Sequence, residues 1–309
     1  MRRLALPLVS LALAAPLAAL LAAPAAHAFP GRNGAIAYGW FSLTEDELGS
    51  EPSRTLNALR LVSPAGGEPR ELRSCLLVGG EPVRPCEAPQ FDTPAWSPDG
   101  TRIAFDAGRR IGLLDGDGGG TVRLLPARGL DAGRPVFSPS GTQLAFDAGP
   151  SAGGQQLWVS DVFGGGARRL TGRGGRSPAW STRGTIAFER AGQLYAIRPD
   201  GSGLRRLTGR GGRAPAWSPH GSKLAFVRRR GDLLFTMNAD GSGLRQVRGP
   251  RGVESVRWSP DGRRLVYEAF DAGVLTIQTD GRGERQLVQD AAGSTYVQAA
   301  RGVDWQPLR

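Results

Sequence analysis

Short apolar runs recur along this chain, and in each run a smaller side chain stands between two large ones. Five such runs are clear: 103–105, 144–146, 186–188, 224–226 and 265–267. This alternation is typical of a β-strand that turns one face towards a core. The Ser-Pro-Asp-Gly sequences at 97–100 and 259–262 precede two of the runs and suit type I turns, with proline second and glycine fourth. The pattern predicts short antiparallel strands joined by tight turns.

An aromatic anchor precedes each turn and recurs along the chain. Its six positions are Trp96, Phe137, Trp180, Trp217, Trp258 and Trp305. The 14-residue segment that begins at Arg168 returns at Arg205 with one substitution, so the chain is built from internal repeats. In each repeat a third strand, such as Gln193–Ile197, leads through a glycine-rich turn into a fourth, such as Leu204–Leu207 or Leu244–Val247. Radial repetition of four-stranded antiparallel sheets is the architecture of a β-propeller.

The two ends of the chain supply the strands of one further repeat. Gly34–Tyr38 has the pattern of a second strand without an anchor strand before it. Val303–Pro307 has the pattern of an anchor strand with nothing after it. Pairing of the two ends completes one sheet and leaves no long exposed edge strand. We therefore expect an all-β, six-bladed propeller of four-stranded antiparallel blades, with the ring closed by the N- and C-terminal strands.

Three repeated strings carry a resemblance to a known family. Pro-Ala-Trp-Ser-Pro-Asp-Gly, Ile-Ala-Phe and Asp-Gly-Ser-Gly-Leu-Arg resemble the repeats of TolB-type, WD40-like propellers. The resemblance extends from Phe29 to Arg309 and implies the same propeller fold. TolB carries an α/β domain ahead of its propeller, whereas we expect the first strand of this chain to follow the leader directly. The resemblance is therefore to the propeller alone.

The first 28 residues have the organisation of a secretory signal peptide. Arg2 and Arg3 form a positive region, Leu4–Ala25 is apolar and uncharged, and Ala26-His27-Ala28 is a suitable cleavage site. An uncleaved membrane anchor is the alternative, because the apolar run is nearly long enough to span a bilayer, although three prolines interrupt it. We predict a signal peptide at 1–28, a propeller at 29–309, and export to the periplasm or the extracellular space. No transmembrane segment is expected after cleavage.

Basic residues outnumber acidic ones by 39 to 28, and all of them except Lys223 are arginine. A basic protein can bind nucleic acid, but an exported one rarely meets any. The Gly-Arg-Gly-Gly-Arg segments at 172–176 and 209–213 also have no interleaved aromatic side chains that could stack on bases. We therefore expect the partner to be a protein or an anionic component of the cell envelope and not a nucleic acid. We also expect the protein to be a monomer and to use no cofactor.

Strand order assigns the loops of a propeller to two faces. The first-to-second-strand and third-to-fourth-strand turns share one face, the lower face, and the remaining loops share the upper face. The upper face is predicted to receive two long insertions, Trp40–Thr55 and Ser74–Thr93. It also receives the arginines that we predict to bind a ligand or partner: Arg173, Arg176, Arg210, Arg213, Arg228, Arg229 and Arg230. Loops carry function more often than scaffold strands do, although long loops can also be tolerated insertions.

Four acidic residues follow the second-strand runs and are expected near the upper mouth of the channel: Asp106, Asp147, Glu189 and Glu268. They could pair with the upper-face arginines, bind a cation, or act as paired acids in glycosidic chemistry. The number of arginines favours ion pairing. A hydrolase or lyase that acts on a polysaccharide or peptide is the alternative to a non-catalytic binding module.

The remaining candidate chemistry is limited. Cys75 and Cys86 are the only cysteines, and in an exported protein they predict a disulfide that closes the second insertion. His220 is the only histidine after the leader and occupies a turn position, so we predict neither a general base nor a metal site there. No catalytic residue is assigned from the sequence.

Overall fold

The computed structural model describes residues 32–44, 53–83, 86–126, 129–150, 154–228, 230–270, 272–289, 291–292 and 296–308. The predicted signal peptide and Arg229 lie outside these residues. The strands, in chain order, are β1 Arg32–Thr44, β2 Arg54–Val62, β3 Arg70–Val78, β4 Glu81–Pro82, β5 Asp92–Trp96, β6 Arg102–Asp106, β7 Ile111–Asp115, β8 Arg123–Leu124, β9 Asp131–Phe137, β10 Gln143–Gly149, β11 Gln156–Asp161, β12 Arg168–Arg169, β13 Arg176–Trp180, β14 Ile186–Arg190, β15 Gln193–Ile197, β16 Arg205–Arg206, β17 Arg213–Trp217, β18 Lys223–Arg228, β19 Leu233–Asn238, β20 Arg245–Gln246, β21 Val253–Trp258, β22 Arg264–Ala269, β23 Gly273–Gln278, β24 Arg285–Val288, β25 Ala291–Ala292 and β26 Tyr296–Leu308.

The strands form six antiparallel sheets, which are the blades of a propeller. Blade 1 has the strand order β25-β26-β1-β2-β3-β4, in which β25 and β4 are two-residue additions. Blades 2 to 6 are the consecutive groups β5–β8, β9–β12, β13–β16, β17–β20 and β21–β24. The first strands of neighbouring blades contact one another around the ring, so they line the central channel. The predicted all-β, six-bladed fold is confirmed.

Blade 1 closes the ring as the sequence predicts. The N-terminal strand β1 pairs with the C-terminal strand β26, with Ile36 opposite Trp305, and on its other side with β2, with Ile36 opposite Val62. The Trp305 indole is fully buried and donates a hydrogen bond from Nε1 to the carbonyl oxygen of Gly34 at 3.0 Å. The C-terminal anchor strand β26 and the N-terminal strand β1 therefore belong to the same blade.

The predicted bounds of both insertions are wrong, because strands continue into them. Trp40–Thr44 extends β1, where the Trp40 ring is buried and the Arg60 guanidinium lies 4.8 Å from its centre. Residues 45–52 lie outside the described residues. In the second insertion, Ser74–Val78 belongs to β3, and β4 folds back on it. The predicted disulfide is present between Cys75 and Cys86.

The fourth strands of blades 4 and 5 are shorter than predicted. They comprise the residue pairs Arg205–Arg206 and Arg245–Gln246. Leu204 and Leu244 stand just outside them with 48% of each side chain exposed. These leucines do not join the strand ladder because they belong to the tight turn that precedes it.

Apolar cores lie between adjacent blades. In four second strands the apolar run ends on an aromatic side chain that is almost completely buried: Phe105, Phe188, Phe226 and Tyr267. One core combines Val159 of blade 3 with Phe188 of blade 4. The indole Nε1 atoms of Trp217 and Trp258 donate to carbonyl oxygens of the preceding blade at 3.1 Å. Each blade is therefore held mainly by its neighbours, which makes the ring a rigid support for the channel.

Candidate functional site

The first strands bend where they reach the upper mouth of the channel. In blades 2, 4 and 5 the pairing of first and second strands skips a residue just before the anchor. The residue three positions before the anchor has a positive φ in five blades: Thr93 (45°), Arg134 (50°), Ser177 (51°), Ala214 (46°) and Gly302 (67°). Bulges of this kind redirect side chains, and the four non-glycine residues in this backbone region are strained. The strain therefore recurs in blades 2 to 5 around one opening of the channel.

The upper mouth of the channel forms a cavity of about 490 Å³. Its charged lining residues come from five blades and are balanced in number: Arg134, Arg176, Arg213, Arg257, Asp92, Glu189, Glu254 and Glu268. The arginines of blades 3, 4 and 5 form an arc on successive blades, and Asp92, Glu254 and Glu268 lie on blades 2 and 6 at either end of it. Guanidinium groups therefore line the mouth on blades 3, 4 and 5, while acidic side chains line it on blades 2 and 6, where Arg257 also lies.

Two arginines of the arc are held by buried carboxylates of their own blade. Arg134 donates from Nη1 to both carboxylate oxygens of Asp147 at 3.2 Å. Arg176 donates from Nη2 to Oε1 of Glu189 at 2.9 Å. The acidic side chains are 3% and 5% exposed, whereas the arginine side chains are 46% and 45% exposed. Each guanidinium is thus fixed from below and open to solvent at the mouth.

Arg213, the third member of the arc, is fixed by the next blade. It donates from Nη1 to the carbonyl oxygen of Glu254 at 2.9 Å and from Nη2 to that of Val253 at 2.7 Å. Nη2 also contacts Oδ1 of Asp232 at 2.9 Å. Since Val253 and Glu254 belong to blade 6, this arginine bridges two blades at the rim.

The second-strand carboxylates also bind the bulges of the following blade. Oδ2 of Asp147 accepts the N–H of Ser177 at 2.8 Å, and Oε2 of Glu268 accepts the N–H of Gly302 at 2.7 Å. Glu268 accepts a further hydrogen bond from the Ser255 hydroxyl at 2.9 Å. Burial raises the pKa of Asp147, against the opposing charge of Arg134. These carboxylates are part of the contacts that hold the bulges in place.

Asp106 differs from the other three carboxylates. It stands directly opposite Asp92 across the strand pair and accepts the N–H of Gly108 at 3.0 Å. Burial raises the pKa of Asp106 to about 6, and the negative charge of Asp92 adds to the shift. The raised pKa of Asp106 makes this carboxyl group a candidate for proton transfer.

An ion pair lies deeper in the channel. The residue just before the anchor is alanine or valine in four blades, but it is Arg257 in blade 6 and Asp304 in blade 1. Their side chains approach to 3.7 Å, and Oδ2 of Asp304 accepts the N–H of Trp96 at 2.7 Å. Burial raises the pKa of Asp304 to about 6. Both residues of this pair line a cavity of about 70 Å³, to which four anchor tryptophans also contribute.

The predicted site residues are only partly brought together. Arg176, Arg213, Glu189 and Glu268 line the mouth cavity. Asp106 and Asp147 lie next to it, and Asp147 contacts Arg134, which does line it. Three predicted arginines, Arg173, Arg210 and Arg230, are exposed but do not line it, and Arg228 lies 4.4 Å above the ring of Phe235. Arg229 lies outside the described residues.

The sequence reasoning missed four charged residues that line the mouth: Asp92, Arg134, Glu254 and Arg257. All four stand one to four residues before an anchor, in the first strand. Aligning the repeats on their anchors and reading this short window would have found them.

Two kinds of site are not found among the residues that the structure describes. They contain no group of three or more His, Cys, Asp or Glu side chains placed to hold a metal ion. They also contain no helix long and apolar enough to cross a membrane.

Comparison with known proteins identifies the fold. No family model matches the sequence, and neither does any curated protein. The chain is similar to the solved structure of TolB from Acinetobacter baumannii, with 21% identity, a TM-score of 0.63, and coverage of 90% of this chain and 68% of that one. It is also similar to a putative TolB from Agrobacterium tumefaciens, at 17% identity and a TM-score of 0.61, covering 89% of this chain and 100% of that one.

A third similar structure is a chain from a nidogen–laminin complex, at 14% identity and a TM-score of 0.61, covering 87% of this chain and 98% of that chain. These likenesses show the fold, a TolB-type, six-bladed propeller. Because a fold hosts many functions, the binding chemistry has to be argued from the mouth itself.

Proposed function

We propose that this chain is an exported, non-catalytic binding module that takes a carboxylate-rich segment of a partner protein at the upper mouth of its channel. The observation that carries the proposal is the arc of Arg134, Arg176 and Arg213 on three successive blades. A planar guanidinium matches a carboxylate through two parallel hydrogen bonds, which makes arginine a suitable group for recognising acidic side chains.

The arc is oriented before any ligand arrives. Arg134 and Arg176 each use one terminal nitrogen for a buried carboxylate. Among the described residues, no hydrogen bond engages their other terminal nitrogens. Binding therefore orders few additional rotamers, and this lowers the entropic cost of association.

The acidic flanks supply selectivity. Asp92 and Glu254 line the same cavity as the arc. An acidic segment that lies across them is repelled, whereas one that follows the arginine arc is attracted. Repulsion of wrong placements is a general source of specificity. The exposed Arg173, Arg210 and Arg230 are proposed to add long-range attraction rather than direct contacts.

Export is part of the proposal. The features at 1–28 predict a secretory signal, and the Cys75–Cys86 disulfide is consistent with an oxidising compartment. We propose the periplasm or the extracellular space as the location and a monomer as the state. A carboxylate-rich protein or another anionic polymer of the envelope would meet the mouth there.

Site-specific photo-cross-linking in intact cells tests the proposal. The photoreactive residue p-benzoylphenylalanine replaces Glu254 at the mouth or, as a matched control, Asp280 in a lower-face turn. We expect an adduct from Glu254 with one protein that mass spectrometry identifies as having an acidic segment at the cross-link. Equal yields of the same adduct from both positions, or no adduct from Glu254, would contradict the proposal.

The arginine arc then has to be shown necessary for that adduct. Replacing Arg176 and Glu189 together with glutamine removes the guanidinium and its buried partner while leaving a hydrogen-bonding pair. Glu189→Gln alone keeps the guanidinium at the mouth and is the control. We expect the adduct to be lost in the double variant and retained in the single one.

A hydrolase or lyase is the second candidate, and one observation favours it. Asp106 has its pKa raised to about 6 and faces Asp92, an arrangement that suits proton transfer. Turnover of a polysaccharide or peptide panel that is abolished by Asp106→Asn would establish catalysis. Arg176 and Arg134 already pair with two of the predicted carboxylates, which leaves fewer groups for that chemistry.

A further inference from the structure

The lower face of blades 3, 4 and 5 carries positive charge that the mouth does not use. Its turns and third-to-fourth-strand segments are 138–142, 161–169, 181–185, 198–206, 218–223 and 238–245. They contain eight Lys or Arg residues, all exposed, and three Asp residues. The equivalent segments of blades 2 and 6, which are 97–102, 115–123, 259–264 and 278–285, contain six basic and six acidic residues. The excess is therefore largest in blade 4, with four basic residues and one acidic residue, and blades 3 and 5 extend it on either side. We call these six segments the basic sector.

The acidic groups of the sector are engaged within their own turns. Oδ1 of Asp161 accepts the N–H groups of Phe163 and Gly165 at 2.8 Å. Asp200 and Asp240 each accept the N–H of the serine two residues later, at 2.8 and 2.9 Å. None of the eight basic side chains forms an ion pair with a described residue. The sector therefore keeps an excess of exposed basic over acidic side chains.

The sector is continuous from blade to blade. Arg168 of blade 3 donates to the carbonyl oxygen of Pro199 in blade 4. Arg205 of blade 4 donates to the carbonyl oxygen of Ala239 in blade 5 at 2.9 Å. Because these bonds go to carbonyl groups, they join the blades and leave the arginine charge in place.

Exposed apolar side chains accompany the charge. Phe163, Leu204 and Leu244 project from the third-to-fourth-strand turns of blades 3, 4 and 5, with exposed fractions of 47%, 48% and 48%. Blade 6 has Glu284 at the turn position of the leucines, and its carboxylate accepts the Tyr267 hydroxyl instead. Apolar tips thus accompany the basic sector, whereas blade 6 has an acidic residue at the leucine position.

We infer that the basic sector binds an anionic lipid surface. Exposed arginines next to apolar tips suit the phosphate layer and the acyl boundary beneath it, where each basic residue and each buried methylene adds to the affinity. Charge complementarity identifies the occupant as lipid headgroups, which present a flat negative layer to all three blades at once. Binding through the lower face leaves the channel mouth on the upper face open to a partner.

Vesicle flotation tests the inference, using residues 29–309 because they contain all six sheets and lack the apolar run at 4–25. The probes are vesicles of pure phosphatidylcholine and of phosphatidylcholine mixed with phosphatidylglycerol. The wild type should float with the mixed vesicles at low salt, and much less with pure phosphatidylcholine or at high salt, because salt screens exposed charges.

Two sector variants and one control locate the contact. Arg169→Ser with Arg206→Ser removes two exposed charges and should weaken binding about twenty-fivefold, from about fivefold for each arginine at the surface. Leu204→Ser with Leu244→Ser should weaken it while leaving the charge unchanged. The control, Arg263→Ser with Arg282→Ser in blade 6, removes the same charge from the lower face outside the sector and should bind like the wild type.

Three results would overturn the inference. These are failure of the wild type to float with anionic vesicles, an equal loss in the control, and full binding by either sector variant. Unfolding midpoints from tryptophan fluorescence identify any variant that binds poorly because it is misfolded. If the wild type does not float with anionic vesicles, the lipid inference fails, and an acidic protein becomes the alternative partner of the basic sector.

Discussion

Replacing Asp304 with asparagine should change how the stability of the protein depends on pH. Asp304 is buried between the closing blade and blade 2, where Oδ2 accepts the N–H of Trp96 at 2.7 Å. Asparagine keeps an oxygen that can accept this bond and removes the charge. The variant therefore isolates the contribution of ionisation from that of the hydrogen bond.

The direction in which stability changes with pH follows from the direction of the pKa shift. Burial raises the pKa of Asp304 from 3.8 to about 6, so the folded protein holds this proton more tightly than the unfolded chain does. The contribution of the Asp304 proton to the free energy of unfolding is fully present below about pH 4 and is lost as the pH rises through about 6. A shift of this size corresponds to about 3 kcal/mol. The free energy of unfolding of Asp304→Asn, relative to wild type, should therefore increase by about 2.5 kcal/mol between pH 4 and pH 7.

Urea unfolding followed by tryptophan fluorescence at several pH values measures the difference. Asp106, whose pKa is also raised, is present in both proteins and cancels. Asp99→Asn is the control, because hydrogen bonds from Ser97 and Thr101 help to hold the pKa of Asp99 below its usual value, so the difference should change with pH in the opposite direction. A difference between Asp304→Asn and wild type that stays constant with pH would refute the reasoning.

Two further predictions concern the contacts between blade 1 and the chain that leads into blade 2. Replacing Cys75 and Cys86 with serine removes a crosslink that spans 11 residues and should lower the free energy of unfolding by about 3 kcal/mol, measured by urea titration with and without reductant. Gly302→Ala should cost more than about 1 kcal/mol, because φ is +67° and a Cβ there would lie 2.6 Å from Cα of Thr93. Gly184→Ala, at φ +74° with nothing within 4 Å, is its control and should be less harmful. A cost at Gly302 no greater than at Gly184 would contradict the close approach.

The repeat made the fold predictable from sequence. Trp96 and its equivalents mark the inner strand of each blade, and the unmatched strands at the two ends could complete only one further sheet. The Cys75–Cys86 pair was predictable because the two cysteines had no other partner in the chain. These features depend on local pattern and on counting, and both are visible in a linear sequence.

The channel mouth was harder to predict because it is assembled from different blades. Arg134 and Arg257 stand in the first strands, where sequence reasoning looked for scaffold and not for site residues. The direction of their side chains depends on the bulge before each anchor, which repeat spacing does not reveal. Trp40 was assigned to the first insertion, yet it continues β1 and its ring is buried.

A titration of labelled peptides tests the central claim most directly. Hexaglutamate and hexaglutamine are compared by fluorescence anisotropy on the wild type, on Glu189→Gln, and on the Arg176→Gln/Glu189→Gln double variant. The account predicts binding of hexaglutamate alone, retained in Glu189→Gln and weakened at least about tenfold in the double variant, the size of one lost charge-assisted hydrogen bond. Equal binding of hexaglutamate by all three proteins would contradict the claim that the arginine arc at the channel mouth recognises carboxylates.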